Sequence, residues 1–306
     1  MNSHQGTSLR TPGRGPGPGV RNVAWLELRN FYKGFAALAL LTWTISGCSN
    51  VQNIRPAADT PNFQRTLTVM SFNIRHGCGR EQWGNASSAF FKGCHNNLDS
   101  IISAISSAGP DIVGLQEVSS SQAGEIARAL NMNYAYSAHN STGYGHWWGN
   151  AILSRFQILE SQTTAIGGSA GHNRSIVTAI ALVKGTPTAF ISVHTDHRLT
   201  DERSVKKILR HIDTMSRPTV LIGDFNMLPM DPRVSLINEK AGFIDSAGPT
   251  KPGQMMGTYD SPSGMRIDYV FVPSSYFKVL DAALVTDEHH DASDHIAYYT
   301  KIKWKQ

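Results

Sequence analysis

The sequence has little of several features that mark large classes of protein. It contains only three cysteines in 306 residues, which excludes a fold held together by a dense disulfide framework. It has no apolar run of about 20 residues, the length that a membrane-spanning helix needs. No segment repeats at the spacing typical of solenoids. With 41% hydrophobic and 17% charged residues, the composition is that of a globular protein with a core.

A marked excess of positive charge is also missing from most of the chain. The formal net charge is +5, but five of the 28 Lys and Arg residues and one of the 23 Asp and Glu residues lie in the first 47 positions. The rest of the chain therefore has 23 basic and 22 acidic residues, a net charge of +1. This balance argues against strong non-specific attraction to polyanions.

The first 47 residues have the layout of a secretory signal sequence. The cations Arg29 and Lys33 precede an apolar stretch, FAALALLTWTIS at 35–46, that is too short for a permanent transmembrane anchor. The stretch runs into ISGC at 45–48, which resembles the lipobox of bacterial lipoproteins, where the cysteine becomes the lipidated first residue. Cys48 is therefore the predicted lipidation site.

This resemblance divides the chain into three predicted parts. Residues 1–47 are a signal sequence, with 1–19 upstream of the true start if Val20 is the initiator. Residues 48–64 are polar and contain prolines, which suits a lipid-anchored tether, and 65–306 form the domain. The resemblance implies a location in the bacterial cell envelope, with the lipid anchor holding the protein at the membrane on the periplasmic face.

Two further details bear on export. Ser49 follows the lipobox cysteine, a pattern that resembles lipoproteins sorted to the outer membrane if the host is Gram-negative. Cys78 and Cys94 remain as an even pair in an exported chain. They can form a disulfide, and two free thiols are the alternative.

Eight apolar, β-branched runs predict strands in the domain. They are residues 67–74, 111–118, 150–155, 175–183, 188–196, 218–226, 266–272 and 296–304. Two stretches between them have apolar residues on one helical face, the first from Leu98 to Ile105 and the second from Val205 to Met215. We predict one α/β domain of about 240 residues, with helices packed outside sheets.

Polar residues lie at or near the ends of these runs. Each has an ordinary explanation by itself, as a turn former, a helix N-terminal acid, a core histidine or an ion-pair partner. Because strand ends gather ligand-binding groups in layered α/β proteins, their recurrence in one domain predicts a site. The residues are Asn73, Glu117, His194, Asp224, Asn226, Asp294 and His295, together with Asp268 near the start of its run.

Six short motifs occur in a familiar order: SFNI (71–74), LQE (115–117), GNAILS (149–154), GDFN (223–226), IDYVF (267–271) and SDH (293–295). With these motifs the chain resembles the endonuclease/exonuclease/phosphatase superfamily, which has the DNase I-like fold. The resemblance covers roughly residues 65–304. It implies an α/β fold, a four-layer αββα sandwich of two mixed β-sheets with outer helices, and a metal-dependent phosphohydrolase site at one rim.

The resemblance also implies the ligands of a metal ion. Glu117 is the first candidate, with Asn73 beside it and Asp294 near the same ion. Hard oxygen ligands favour Mg²⁺, and Mn²⁺ is a possible substitute. Such an ion can clamp a phosphate oxygen and stabilise the leaving group.

The remaining motif residues take catalytic roles by the same resemblance. His295 would activate or orient water, with Asp268 fixing its tautomer. Asp224 and Asn226 would lie on the side of attack and against a phosphate oxygen. His194 would donate a hydrogen bond to a phosphoryl oxygen or to the leaving group. It lies in SVHTD, where many relatives have NTHLD, so the motif departs from the family at Ser192.

Arg174 is a predicted phosphate contact, because guanidinium geometry matches phosphate, and a surface salt bridge is the alternative. The adjacent Trp147 and Trp148 point opposite ways if the segment is extended, so one of them can face a membrane interface or stack on a base or sugar.

The leading functional prediction is a lipid-anchored extracytoplasmic phosphodiester hydrolase. The sequence leaves open whether its substrate is a phospholipid headgroup, a nucleic acid or a sugar or inositol phosphate, and it indicates no protein partner. The near-neutral charge favours small or membrane-presented phosphodiesters over duplex DNA. A DNase I-like nuclease is one alternative. A non-catalytic binding lipoprotein that keeps the fold is another, although such a protein need not keep the full set of site residues.

Overall fold

The computed structural model describes residues 50–53, 66–79, 97–139, 148–248, 257–259, 264–285 and 291–305. The predicted signal sequence, Cys48, most of the tether, Cys94 and Trp147 lie outside the described residues. The three-part division of the chain therefore stays a prediction.

Strands in the described ranges form two sheets. The first has the order β1-β4-β5-β3-β2-β13-β12. Its strands are β1 (Asn50–Gln52), β2 (Thr66–Asn73), β3 (Ile112–Val118), β4 (Asn133–Ala138), β5 (Gly149–Ser154), β12 (Phe277–Leu284) and β13 (Tyr298–Trp304). β2 and β3 run parallel and the other neighbours run antiparallel, so the sheet is mixed.

The second sheet has the order β10-β11-β9-β8-β7-β6. Its strands are β6 (Ile158–Gly167), β7 (Arg174–Val183), β8 (Thr186–His194), β9 (Thr219–Asp224), β10 (Phe243–Asp245) and β11 (Asp268–Pro273). The β8 and β9 strands run parallel, and the other neighbours run antiparallel. This sheet is mixed as well.

Four α-helices lie in the described ranges, and two of them begin at a side-chain cap. They are α1 (Leu98–Ala108), α2 (Ser120–Ala129), α3 (Arg203–Asp213) and α4 (Pro232–Ala241). Ser119 and Gln122 form a capping box at the start of α2, which fixes this helix directly after β3. Asp231 caps α4, whose first residue is a proline. None of the helices in the described ranges is long and apolar enough to cross a membrane.

Three apolar clusters define four layers. Between the sheets, residues such as Val69 and Ile112 from the first sheet pack with Phe190 and Val220 from the second. The outer face of the first sheet packs against α1 and α2. The outer face of the second packs against α3 and α4, through residues such as Ile208. The predicted αββα sandwich of two mixed sheets is therefore confirmed, as are all eight predicted strands and both predicted helices.

Candidate active site

Strand register brings three of the predicted site residues side by side in the second sheet. Asp224 ends β9, where it pairs with His194 at the end of parallel β8. On its other side Asp224 pairs with Asp268, the first residue of antiparallel β11. Residues that pair directly across neighbouring strands have their side chains on the same face. The three side chains thus form a row at one rim of the sheet, and all are buried.

Gly223 is needed to place this row. Its φ is 154°, and a Cβ atom at this position would lie 2.0 Å from the carbonyl oxygen of Val193. Only glycine allows β8 and β9 to approach so closely just before Asp224. The glycine of the GDFN motif is therefore explained by backbone packing.

The first sheet contributes Asn73 and Glu117 from two parallel strands. Asn73 ends β2 and pairs with Gln116 of β3. Glu117 is the extra residue of a β-bulge, because Gln116 pairs with Asn150 and Val118 with Gly149. Its φ of 52° is unusual for a residue other than glycine. β-Bulges often change the direction of side chains next to active sites. This bulge interrupts the alternation of β3 side chains between the two faces of the sheet.

The segment before β13 connects to this rim through Ser293. Its Oγ donates to the carbonyl oxygen of Asn73 at 2.7 Å and accepts from the backbone N–H of His295 at 3.2 Å. The serine of the SDH motif thereby fixes Asp294 and His295 relative to β2. No role for Ser293 was predicted from the sequence.

The site is centred on one oxygen, Oδ2 of Asp224. Nδ2 of Asn73 donates to it at 3.1 Å. Nε2 of His194 lies 3.5 Å away and Nε2 of His295 lies 3.7 Å away. The other carboxylate oxygen, Oδ1, accepts from the backbone N–H of Asn226 at 2.9 Å. The structure thus brings together residues from three of the six motifs, SFNI, GDFN and SDH, with His194 beside them.

His295 and Asp268 form a buried pair beside this oxygen. Nδ1 of His295 is 2.8 Å from Oδ2 of Asp268. Burial alone would lower the pKa of His295, but the negative charges of Asp268 and Asp224 outweigh it and raise the pKa to about 10. Burial and the charge of Asp268 raise the pKa of Asp224 to about 7. The Asp224 and His295 pair can therefore exchange a proton with a neighbouring group near neutral pH.

His194 is held neutral in the same site. Burial, and then the charge of Arg174, lower its pKa well below the usual value. Its Nε2 faces the carboxylates of Asp224 and Glu117, the latter at 4.0 Å. Its buried Nδ1 makes no hydrogen bond in the described structure. A neutral imidazole that donates through Nε2 suits the predicted contact with a phosphoryl or leaving-group oxygen.

Asn226 lies at the edge of the row. It has a φ of 49°, and its Nδ2 donates to the carbonyl oxygen of Thr195 at 3.0 Å. This bond anchors the amide after the strand ends, and the side chain is partly exposed. Its amide oxygen makes no hydrogen bond to any described residue. The predicted contact between Asn226 and a phosphate oxygen stays a prediction.

Glu117, Asn73 and Asp294 offer the hard oxygen ligands that Mg²⁺ prefers, so these residues fit a divalent cation. Burial would raise the pKa of Glu117, but the nearby His76, His194 and Arg174 hold it well below the usual value, so it is ionised. Each candidate also has a protein partner. Oε2 of Glu117 is 3.0 Å from Nε2 of His76, Oδ1 of Asn73 accepts from the N–H of Arg75, and Oδ2 of Asp294 is 3.4 Å from Nε of Arg75.

A second group of possible ligands overlaps the row formed by His194, Asp224 and Asp268. Ligand atoms of Asp224, Asp268 and His295 all lie within 4.8 Å of one another. The family resemblance predicts catalytic roles for these three residues. It predicts that the metal ion binds beside Glu117. Both groups share the same rim, and the identity of the ion stays a prediction.

Arg174 lies over Trp148 next to this rim. Its Cζ atom is 4.5 Å from the centre of the indole ring, and its Nε makes no hydrogen bond in the described chain. The side chain is buried and has no carboxylate within ion-pair distance among the described residues. The surface salt bridge considered from the sequence is therefore wrong. A buried cation without a paired anion is what a phosphate contact requires.

Three residues at the rim are not among the predicted site residues. His76, which follows the SFNI strand, pairs with Glu117. Trp148 is buried between the rings of His76, His139 and His194, with centroid distances of 4.9, 4.7 and 5.7 Å. Nδ1 of His139 accepts from the N–H of Ser175 at 3.0 Å. Trp148 is thus part of the rim and is not available to insert into a membrane.

The departure from the family pattern at Ser192 has a structural role. Ser192 is fully buried between the sheets. Its Oγ accepts from Nε2 of Gln116 and donates to the carbonyl oxygen of Leu115, both at 3.0 Å. These bonds tie β8 to β3 across the sandwich, so the serine supports the position of both His194 and Glu117.

Cys78 is disulfide-bonded. The predicted partner, Cys94, lies outside the described residues, so the pairing itself stays a prediction. The bond lies directly after the segment that contains Arg75 and His76. It therefore restrains the stretch of chain that holds Glu117 and Asp294.

Comparison with known proteins agrees with this fold. The model of the endonuclease/exonuclease/phosphatase family matches residues 70–295. A family protein from Bacteroides vulgatus has a similar structure, with 20% identity and a TM-score of 0.64 over 78% of this chain and 99% of that chain. The mannosyl-6-phosphatase of Bacteroides thetaiotaomicron is similar at 22% identity and a TM-score of 0.58, over 78% of this chain and 100% of that chain.

The catalytic domain of human Nocturnin, solved with a bound sulfate anion, is 17% identical with a TM-score of 0.59, over 82% of this chain and 100% of that chain. At such identities these similarities establish the fold alone. No curated protein sequence matches this chain.

Proposed function

Because the chain belongs to the endonuclease/exonuclease/phosphatase family, we propose that it is a divalent-metal-dependent phosphoesterase that favours phosphodiesters. The observation that carries the proposal is the convergence of Asn73, His194 and His295 on Oδ2 of Asp224. A protein that only binds a ligand has no need for a buried carboxylate with two imidazoles around it. This argues against a non-catalytic lipoprotein that keeps the fold.

The residues suggest a division of labour during hydrolysis. The pair of Asp224 and His295 accepts the proton of the attacking water, and Asp268 holds the imidazole in position. Arg174 and the Nε2–H of His194 bind the phosphoryl oxygens or the leaving oxygen. Glu117, Asn73 and Asp294 would hold Mg²⁺ or Mn²⁺, which supplies positive charge to the phosphate and the leaving group.

We further propose that the protein works at a membrane, anchored through lipidated Cys48 in the bacterial cell envelope. The support is the signal-like stretch at 35–46 followed by the lipobox-like ISGC. In a Gram-negative host, Ser49 favours the outer membrane. A membrane anchor would bring the site close to phospholipid headgroups, which are one class of phosphodiester.

A nuclease is the second candidate, and one observation favours it. Arg203, Lys206, Lys207 and Arg210 line a groove of about 490 Å³ along α3. Arg203 and Lys206 pair with the neighbouring acids Asp201 and Glu202. Acidic neighbours thus neutralise the charge of two of the four cations. This reduces the attraction of the groove for a nucleic-acid backbone.

The test is a substrate screen with the purified full-length chain in detergent. A generic aryl phosphodiester, phospholipid vesicles, DNA and RNA are compared with Mg²⁺, with Mn²⁺ and with chelator. We expect metal-dependent hydrolysis, with small or vesicle-borne phosphodiesters cleaved faster than duplex DNA. Rapid nicking of plasmid DNA without phospholipid turnover would favour the nuclease, and no hydrolysis of any ester would refute the proposal.

A further inference from the structure

His76 lies on the strained turn that follows β2, next to the predicted metal ligand Glu117. Arg75 and His76 are two consecutive residues with positive φ, 46° and 56°, although neither is a glycine. Side chains disfavour this backbone conformation, and it recurs where a site requires one particular side-chain direction. The hydrolysis proposed above assigns no role to His76, so the strain at this position has no explanation in that mechanism.

Neighbouring segments hold the turn in this conformation. The backbone N–H of Arg75 donates to Oδ1 of Asn73 at 3.0 Å, and Nε2 of Gln122 donates to the carbonyl oxygen of His76 at 2.6 Å. The ring of His76 packs edge-on against Trp148, with 4.9 Å between the ring centroids. The direction of the imidazole is therefore fixed by the fold, as a preorganised ligand requires.

The imidazole directs its Nε2 atom at the carboxylate of Glu117. The distance from Nε2 to Oε2 is 3.0 Å. Two ligand atoms on adjacent corners of an octahedral site are also about 3.0 Å apart, when each lies about 2.1 Å from the ion. His76 and Glu117 can therefore bind the same cation without rearranging. Their side chains are 14% and 23% exposed, so an ion can reach both from solvent.

The predicted ligand Asn73 has less capacity for the ion than its residue type suggests. Its Nδ2 donates to Asp224 at 3.1 Å, and its Oδ1 accepts from the N–H of Arg75 at 3.0 Å. One lone pair of the amide oxygen is left for a cation. His76 follows Asn73 by three residues and offers a further ligand atom from the same end of β2.

Resting on the proposed phosphoesterase function, we propose that His76 is a ligand of the divalent cation, through Nε2 and together with Glu117. Coordination uses the lone pair of Nε2, so the imidazole proton lies on Nδ1 when the ion is bound. Imidazole nitrogen suits transition-metal ions, whereas Mg²⁺ prefers oxygen. The site therefore binds Mn²⁺ more tightly than Mg²⁺, and His76 sets this preference.

The experiment examines Mn²⁺ bound to the full-length chain in detergent, prepared without a histidine tag and without substrate. Pulsed electron paramagnetic resonance detects a nitrogen nucleus coordinated to Mn²⁺, so it reports an imidazole ligand and needs no catalysis. We expect a nitrogen signal in the wild-type protein and its loss in His76→Gln. The glutamine amide can keep a hydrogen bond to Glu117, so a purely structural pair would survive this change.

His194 is the nearby alternative source of a nitrogen ligand, since its Nε2 lies 4.0 Å from Oε1 of Glu117. His194→Gln should keep the nitrogen signal. His197→Gln, at a side chain that is 60% exposed, is the matched control for the loss of a histidine and should keep it as well. A signal that persists in His76→Gln and disappears in His194→Gln would overturn the assignment to His76.

Calorimetry measures the expected preference between ions. The wild-type protein should bind Mn²⁺ at least about tenfold more tightly than Mg²⁺. His76→Gln, and His76→Phe, which keeps an aromatic ring against Trp148, should weaken Mn²⁺ binding about tenfold or more and Mg²⁺ binding much less.

The outcomes separate this proposal from the one it rests on. If Mn²⁺ binds without a nitrogen signal and the two variants leave the preference unchanged, His76 is not a ligand, and the metal-dependent phosphoesterase still stands. If the wild-type protein binds neither ion, both proposals fail.

Discussion

Nδ1 of His295 lies 2.8 Å from Oδ2 of Asp268, and both side chains are buried. The pairing of β11 with β9 places Asp268 directly opposite Asp224, so the other ring nitrogen of His295 faces Asp224 at 3.7 Å. The imidazole is thus held between two carboxylates, one that orients it and one that shares its proton. This arrangement makes two predictions.

Replacing His295 should lower kcat much more than it changes KM. General acid–base assistance acts in the transition state and is typically worth about 10²- to 10⁴-fold. His295→Ala should lose activity by this amount on an aryl phosphodiester, measured by steady-state kinetics. His197→Ala, at an exposed histidine in the loop after β8, is the matched control. An unchanged kcat in His295→Ala would move the proton transfer to another group.

Asp268→Asn should also lower kcat, by at least about 10²-fold, because the amide no longer fixes the imidazole in one tautomer. Asp245→Asn is a suitable control, since Asp245 is bound at 2.6 Å to Arg266, which lies just before the neighbouring strand β11, and makes no hydrogen bond or ion pair with the predicted catalytic residues. The control should lower the melting temperature and leave kcat unchanged. Equal loss of kcat in both variants would indicate a structural role for Asp268.

The strands that sequence patterns missed are mainly those at the sheet edges. β1 and β12 bound the first sheet, and β6 and β10 bound the second. In β6 most residues are partly or fully exposed, so the strand lacks an apolar run. The central strands are buried on both faces and were predicted with small errors at their ends. Of the interior strands, only β4 escaped prediction.

The motifs pointed to residues that the structure brings together at one rim, because each of these motifs lies at or next to a strand end. They did not identify His139 or the burial of Trp148 in the rim, which depend on contacts between distant segments. His139 follows β4, and its partner Ser175 belongs to β7 in the other sheet. No spacing along the chain carries that information. The β-bulge at Glu117 could not be predicted from the sequence either, because it depends on how β3 pairs with β5.

Glu117 should control metal binding. Its charge is the strongest attraction for a cation among the predicted ligands, so Glu117→Gln should bind Mg²⁺ or Mn²⁺ at least about tenfold more weakly, as measured by calorimetry. Glu239→Gln, at an exposed position on α4, serves as the control. Chelator should abolish hydrolysis in the wild-type protein and either ion should restore it. Full activity in chelator would rule out the metal-dependent mechanism.

Cys48 should carry acyl chains in the mature protein. Cys48→Ser removes the lipidation site, so the chain should leave the membrane fraction or stay unprocessed, as followed by fractionation and mass spectrometry. Cys94→Ser is a control for the loss of a cysteine and should remain in the membrane fraction. An unlipidated mature wild-type protein would contradict the lipobox interpretation.

Acid should destabilise the fold partly through His211, a buried histidine distant from the predicted metal ligands. Nε2 of His211 lies 2.8 Å from Oγ1 of Thr178, and burial lowers the pKa of the imidazole. The unfolded chain therefore binds a proton at this residue below about pH 6.5, where the folded chain does not. The free energy of unfolding should fall as pH decreases from about 6.5 towards the lower folded-state pKa, by at most about 1.4 kcal/mol per pH unit from this residue.

His211→Gln tests this directly, because glutamine can keep the bond to Thr178 and cannot titrate. Urea unfolding between pH 7.5 and 5 should show a shallower loss of stability in His211→Gln than in the wild-type protein. The other buried histidines of the described chain, His139, His194 and His295, are present in both proteins, so the difference between the two slopes isolates His211. Identical slopes would mean that His211 has the same pKa in the folded and unfolded chain. Burial would then have no effect on the pKa of His211.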